Sequence, residues 1–371
     1  MIVESLFIKD FRNYEKADIH PGNGMNVFVG KNAQGKTNII EALYLCCVGR
    51  SHRTSKDEEM IRWDQPFGRV TVNSRQSDGG HEVTVILARG QKKKKNIKIG
   101  ERRAERIGEL FGHVCSVLFS PEDLQIVKSG PSERRRFIDM QLSQISPSYF
   151  YYLQRYTKAL TQRNALLREI QIKPSMKAVL DMWDEELAES GSKISDIRHE
   201  AIESLSSLAA EEHRHLTGGS EQLQLRYISS LKDAENIKGT FLDQLYAGRE
   251  DDIRRQSTGT GIHRDDISIR INGRDTRTYG SQGQQRSVVL SLKMGQLAYF
   301  TKEKGETPIL LLDDVMSELD VSRREALGER INQIQTFVTC TDLSDLGNQH
   351  NGVFYEVDQG SLGEKNQFST K

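Results

Sequence analysis

The 371-residue chain carries 52 Lys+Arg against 52 Asp+Glu, so any attraction for a polyanion must come from local patches and not from the field of the whole molecule. At roughly 150 residues per domain the length makes two or three units, and a mean hydropathy of −0.58 with no run of about 18 apolar residues excludes a membrane-spanning helix. Four cysteines are too few for a disulfide scaffold, and the N-terminal stretch lacks the charged-then-apolar order of a secretion signal, so a cytoplasmic protein is expected.

In chain order, residues 2–9 and 25–29 read as strands, and 38–45 as a helix. Cys46 and Cys47 are adjacent on that helix and diverge by about 100°, so they cannot chelate together. Residues 68–88 form two alternating runs, Val70/Val72 and Val83/Val85/Leu87, joined at Asp78-Gly79-Gly80. Cys115 and Cys340 sit in apolar strand-like runs and read as buried small hydrophobes. From Ser148 to Leu216 the period becomes helical, with a seven-residue stripe at Leu180, Leu187, Ile194, Ala201 and Leu208. Lys173-Pro174 marks a turn between two antiparallel helices, and Gly191 weakens the second of them. That stripe is expected to pack within its own lobe. His213 and His215 lie two apart on a helix and point away from each other, so no zinc site is expected. After Gly259 the chain returns to strands at 267–271, 309–312, 336–339 and 354–357, with an Asn272-Gly273 turn.

Residues 30–37 read Gly30-Lys31-Asn32-Ala33-Gln34-Gly35-Lys36-Thr37, a G-x-x-x-x-G-K-T loop between a strand and a helix that opens with Asn38. Glycines at 30 and 35 let backbone N–H groups close on phosphate oxygens, and the helix N-terminus adds positive potential. Lys36 is placed to bridge terminal phosphates and the Thr37 hydroxyl to ligate Mg²⁺. The apolar strand 309–312 ends in Asp313-Asp314, which suits delivery of a carboxylate to the metal beside Thr37. Tyr279-Gly280-Ser281-Gln282-Gly283-Gln284 opens a further helix, and Val315-Met316-Ser317-Glu318-Leu319-Asp320 follows the acids. This order resembles the ATP-binding cassette, where Ser-x-Gly-Gln at a helix start contacts the nucleotide held by an opposite subunit. A plain helix cap at Ser281 is compatible with the same residues.

Phe11-Arg12-Asn13-Tyr14, the phosphate loop, Ser281 to Arg286 and Asp313 to Asp320 together resemble the RecF family of bacterial recombinational-repair ATPases, relatives of the heads of SMC and Rad50 proteins. Pro121-Glu122-Asp123, Gly130-Pro131-Ser132-Glu133-Arg134-Arg135-Arg136-Phe137-Ile138-Asp139 and Gly261-Ile262-His263-Arg264-Asp265-Asp266 agree, with Ile262 where the family has proline. The resemblance implies an α/β fold, an ABC-type P-loop ATPase head built from residues 1–120 and 261–371, with a mainly helical lobe inserted at 121–260. It implies ATP held by Gly30, Lys31, Asn32, Ala33, Gln34, Gly35, Lys36, Thr37 and Asn38, with Arg12 near the base, and Mg²⁺ held by Thr37 and Asp313. Lys36 and Asp314 would be the catalytic pair; aspartate is one methylene shorter than the glutamate transporters carry there, so slow hydrolysis is expected. Ser281, Gln282, Gly283 and Gln284 would meet the nucleotide of a second copy. Cys340-Thr341-Asp342 stands where transporters carry a switch histidine, a departure that removes a γ-phosphate sensor or hands its role to Thr341. The implied partners are single- and double-stranded DNA at gap junctions, a second copy of the chain, and RecR, RecO and RecA, with no membrane and a nucleoid-associated cytoplasmic location.

The charges support DNA as a partner. Residues 89–106 hold nine cations (Arg89, Lys92 to Lys95, Lys98, Arg102, Arg103, Arg106) against Glu101 and Glu105, and 128–168 hold eight against Glu133 and Asp139. Arg134 to Arg136 could equally brace the helical lobe. Three other readings stay open here: a small-molecule P-loop kinase, a chromosome-organising SMC-like head, and a transporter subunit.

Overall fold

The computed structural model describes residues 1–91, 94–229, 231, 235–346 and 352–365. Along the chain the elements are β1 (Ile2–Phe11), β2 (Tyr14–Ile19), β3 (Met25–Val29), α1 (Lys36–Val48), β4 (Phe67–Gln76), β5 (Gly79–Ala88), β6 (Lys95–Ile99), β7 (Arg102–Arg103) and β8 (Ser116–Phe119). Then come α2 (Gln125–Lys128), α3 (Pro131–Ile145), α4 (Pro147–Ile170), α5 (Leu180–Leu216), β9 (Leu223–Ile228), α6 (Ile237–Arg255), β10 (Asp266–Ile271), β11 (Arg274–Asp275), α7 (Thr276–Tyr279) and α8 (Gln282–Lys304). The chain closes with β12 (Ile309–Asp313), α9 (Val321–Ile331), β13 (Thr336–Cys340), β14 (Gly352–Asp358) and β15 (Ser361–Lys365).

Two compact units result, Met1–Asp123 with Gln296–Lys371, and Leu124–Gly295. The first boundary lies three residues past the expected 120, whereas the second falls at 295 and not at 260. The reason is pairing. β10 runs antiparallel to β9 along six residue pairs, Ile271 opposite Leu223 through Asp266 opposite Ile228, and β9 in turn packs on α5. Ser291 bonds His213 (2.9 Å), and a Cβ on Gly295 would lie 2.9 Å from the Ala209 backbone, so the first turns of α8 also belong with α5. The sequence located this strand, but the expected boundary put it in the head, whereas it belongs to the second unit.

The first unit holds two sheets. One is antiparallel, ordered β2-β1-β4-β5-β6-β7; the other, ordered β15-β14-β3-β13-β12-β8, pairs β14, β3, β13, β12 and β8 in parallel and adds β15 antiparallel at its edge. α1 packs against strands of both. That position explains why, Glu41 apart, residues 39–48 are apolar around the whole circumference and all buried. Cys46, Cys47, Cys115 and Cys340 are free and buried, as small hydrophobes.

In the second unit, α5 runs unbroken for 37 residues through Gly191. The glycine is a packing requirement there: a Cβ at 191 would sit 2.6 Å from Cε1 of Phe241. Leu180, Leu187, Ile194 and Ala201 are buried within the unit. Its core also contains ion clusters. The Arg163 guanidinium, wholly buried, donates to Asp184 (2.5 Å), Asp252 (2.7 Å) and Thr258 (2.9 Å). Arg198 donates to Asp139 and to the Ile262 carbonyl, and Arg134 grips Asp266 with two bonds of 2.6 and 3.0 Å. Buried charges matched in this way are costly to break singly.

Candidate nucleotide-binding site

β3 delivers the phosphate loop to the N-terminus of α1, and two details show why glycine is required. A Cβ on Gly30 would lie 2.3 Å from the Val357 carbonyl oxygen, and Gly35 has φ +115°, with the Asn13 amide 2.6 Å from where its Cβ would be. Lys36 folds back along the loop and donates to the carbonyls of Gly30 (2.8 Å) and Lys31 (3.1 Å). An anion in the loop would offer this ammonium stronger acceptors than the two neutral carbonyls.

Thr37 and the acid strand meet as expected. The Thr37 hydroxyl donates to Asp313 Oδ1 at 2.8 Å, across 276 residues of sequence. Thr339, on the neighbouring parallel strand, donates to the same oxygen at 2.9 Å and accepts the Asp314 N–H at 2.8 Å. One buried hydroxyl therefore sets both acids. Asp314 occupies the left-handed region at φ +52°. Burial, and next the charge of Asp313, push its carboxyl above the usual aspartate range.

Hydroxyl and carboxylate oxygens at this spacing are the donor set a hard cation such as Mg²⁺ takes. His52 adds a second observation. Its ring lies edge-on to Tyr44, with Nε2 3.9 Å from Asp313 Oδ2, and both ring nitrogens are buried without a hydrogen-bond partner among the described residues. The residues present therefore fit a hydrated cation.

Phe11-Arg12-Asn13-Tyr14 braces this loop. Asn13 Nδ2 donates to the Gln34 carbonyl (2.8 Å), Tyr14 Oη donates to the Gly35 carbonyl (3.1 Å), and Asn38 Nδ2 donates to Asn13 Oδ1 (2.8 Å). Arg12, at φ +54°, donates to both carboxylate oxygens of Glu41 (2.7 and 2.5 Å) and to the Glu59 carbonyl. Glu41 is fully buried and also receives Ser51 and Arg53. An acid inside the apolar run 39–48 was the sequence signal for this knot, but none of its partners could be read from spacing. Thr341 Oγ1 donates to Asn32 Oδ1 (3.2 Å), which ties the loop after β13 to the phosphate loop. Beside them a cleft of about 900 Å³ is lined by Lys31, Gln34, Thr341, Asp342 and Glu356.

Ser281, Gln282, Gly283 and Gln284 belong to the second unit, with Ser281 and Gln282 exposed. The Gln284 N–H donates to Ser281 Oγ (3.2 Å), and the Ser281 N–H donates to Gln284 Oε1 (2.9 Å). This reciprocal cap fixes the start of α8. Gln284 Nε2 also donates to Glu221.

Both basic stretches carry less free charge than their composition promised. Lys94 pairs with Glu58 (2.9 Å), Lys95 with Asp57 (2.7 Å) and Arg102 with Glu109 (2.6 Å). Lys92 and Lys93 lie outside the described residues. In 128–168, Arg134 and Arg163 are buried, Arg135 donates to the Asp265 carbonyl, and Arg155 pairs with Glu186. These arginines hold the lobe together.

Residues 2–359 match the family model of the RecF/RecN/SMC N terminal domain. The chain is 44% identical over 367 residues to the DNA replication and repair protein RecF of Acetivibrio thermocellus, covering 97% of this chain and 99% of that protein. It is 44% identical over 354 residues to the protein of the same name from Halothermothrix orenii, covering 93% and 94%. The recombination mediator protein RecF of the RecFOR pathway, solved as RecF-ATP, superimposes with a TM-score of 0.91 at 34% identity, covering 98% of this chain and 97% of that one. The Smc head domain of Pyrococcus furiosus shares the fold at a TM-score of 0.59 and 16% identity, with 98% and 95% covered. With the phosphate loop, the paired acids and the Ser-x-Gly-Gln helix start all in place, the chain belongs to the RecF family of ABC-type ATPases.

Proposed function

We propose that this protein binds and slowly hydrolyses ATP while acting on DNA in recombinational repair and replication, with ATP joining two copies at single-strand gaps and junctions. The observation that supports this most is the convergence of Lys36, Thr37, Asp313 and Asp314 on one loop mouth in a chain whose full length matches RecF proteins. Gly30, Lys31, Asn32, Ala33, Gln34 and Gly35 present backbone N–H groups to the phosphates, Lys36 exchanges loop carbonyls for phosphate oxygens, and Asn38 stands at the α-phosphate end. Thr37 and Asp313 hold Mg²⁺, which when bound neutralises phosphate charge. Asp314 orients or deprotonates the attacking water, and its short side chain keeps turnover slow. Arg12, through Glu41, holds the foot of α1 and reaches the nucleotide only indirectly. Ser281 to Gln284 close over the nucleotide of the second copy, their exposed helix start supplying N–H groups.

Release of DNA follows hydrolysis, when the shared nucleotide no longer bridges the copies. RecR and RecO are the expected partners in loading RecA, at the nucleoid. The test is molar mass by light scattering, with and without ATP and Mg²⁺, for the native chain and Ser281→Arg. ATP-dependent doubling, lost in the variant, is the expected result. A monomer throughout would remove the shared site and favour a kinase acting on a small molecule.

A further inference from the structure

The antiparallel sheet of the first unit has one face packed and one face open. Leu6, Ile8, Val70, Val72, Val83 and Val85 fill the packed face. On the open face the register sets like charges directly opposite one another. Lys9 of β1 stands opposite Lys16 of β2 and opposite Arg69 of β4, so three cations form one row across three adjacent strands. The next row runs Phe7, Thr71, Thr84, Lys98 and Arg103, where a second like pair, Lys98 opposite Arg103, sits at the edge. All five cations are exposed, and none forms an ion pair among the described residues.

Such an arrangement is unfavourable for the isolated fold. Like charges directly opposite on a sheet destabilise it, and a surface without a partner would be expected to intersperse acids. Elsewhere this protein does so: Arg75 meets Glu4, Lys94 meets Glu58 and Lys95 meets Asp57. Asp18, opposite Phe7, pairs with His20 (3.5 Å). Lys16 and Arg69 both lie over the Phe7 ring, at 6.0 and 5.9 Å from its centroid. Strands about 4.8 Å apart place the outer members of the row roughly 10 Å from each other, a span that two or three successive phosphates can follow. Within the second row the hydroxyls of Thr71 and Thr84 bond each other (2.9 Å), and contacts from lysine and arginine to phosphate oxygens carry no sequence information by themselves.

We infer that this open face, carried by Lys9, Lys16, Arg69, Lys98 and Arg103, is a docking surface for the sugar-phosphate backbone of DNA, contacted without regard to sequence. The inference rests on the DNA-repair reading above and names the surface that reading lacks. It also reverses the expectation from composition, because three of its five cations lie outside both basic stretches of the sequence.

The test is fluorescence anisotropy of a labelled 30-base-pair duplex and of its single strand, with ATP and Mg²⁺, titrated over 50–200 mM salt. The native chain is compared with Lys9→Gln/Lys16→Gln/Arg69→Gln and with Lys98→Gln/Arg103→Gln. Three lost phosphate contacts should lower the slope of log affinity against log salt by about 2.7 for duplex and about 2.1 for single strand. Mant-ATP affinity should stay unchanged, and the melting temperature should stay level or rise because like-charge repulsion is relieved. Unchanged slopes in variants that melt normally, with the native chain binding DNA, would overturn this face and leave the repair reading standing. A native chain with no affinity for either DNA would overturn both.

Discussion

Thr339→Val isolates the element on which the two acids depend. Valine keeps the shape of a fully buried side chain but removes the hydroxyl that donates to Asp313 Oδ1 and accepts the Asp314 N–H. The stranded N–H and the lost bond to a carboxylate together cost roughly 2–5 kcal/mol. For a unit of about 200 residues, at 2–4 °C per kcal/mol, the melting temperature should fall by about 5–15 °C. Because Asp314 is held at φ +52°, losing its anchor should also release the turn, so ATP hydrolysis should drop further than ATP binding. Thr339→Ser, which retains the hydroxyl, should recover most of both losses. Calorimetry and phosphate release on the three proteins read these effects separately. If Thr339→Val melts within about 1 °C of the native chain and turns over normally, or if serine is as damaging as valine, the hydroxyl does not organise the acids.

Other outcomes follow from single positions. Asp314→Asn should slow phosphate release while leaving mant-ATP affinity within a few-fold, and normal turnover would remove Asp314 from the catalytic pair. Lys36→Ala should weaken mant-ATP binding by about 10- to 100-fold, the worth of one or two charge-assisted bonds. His263 is half-buried, donates from Nε2 to the Thr258 carbonyl (3.1 Å), accepts the Tyr156 hydroxyl at Nδ1 (2.7 Å), and has its pKa lowered to about 4, chiefly by desolvation. A depressed histidine stabilises the fold fully above its unfolded value near 6.5, and that contribution is lost as pH falls towards 4, amounting to at most about 3 kcal/mol. Urea unfolding of His263→Gln should accordingly show a flatter stability profile between those pH values, and an unaltered slope would refute the assignment. Gly191→Ala should destabilise by about 1–2 kcal/mol despite alanine's better helix propensity, since its methyl meets the Phe241 ring. Adding Phe241→Leu should recover part of that loss, and strict additivity of the two changes would show that the ring is not the obstacle.

What could be read from residues alone is whatever is local in the chain. The phosphate loop is eight consecutive residues between a strand and a helix, and its chemistry lies in backbone N–H groups, glycine φ values and one lysine. Its strand, helix and loop mouth are therefore written in order. The acid strand 309–313 is legible for a similar reason, since an apolar run ending in carboxylates has few other uses. The helical stripe of α5 and the buried cysteines were likewise carried by short-range period and by composition.

What the sequence did not show came mostly from partners outside any short window of the chain. Of the nine cations within residues 89–106, Lys94, Lys95 and Arg102 are neutralised by Glu58, Asp57 and Glu109. β10 lay near the expected position, but its sheet was settled by β9, and the boundary of the unit moved with it to 295. For Arg12, expected near the nucleotide, the grip of Glu41, 29 residues on, had no motif to announce it. Thr339 had no motif to announce it, because its importance comes from standing beside Asp313 on a parallel strand.

The row of Lys16, Lys9 and Arg69 has the same origin, and no window of sequence contains it. Strand register brings together charges separated by more than fifty residues and sets which face they share. The sequence by itself determined the phosphate-loop motif on which the ATP-binding proposal rests, because short-range backbone geometry suffices for that. Tertiary structure alone decided which charges are neutralised and which remain free, because Coulomb and hydrogen-bond energies depend on distance in space and not on separation along the chain.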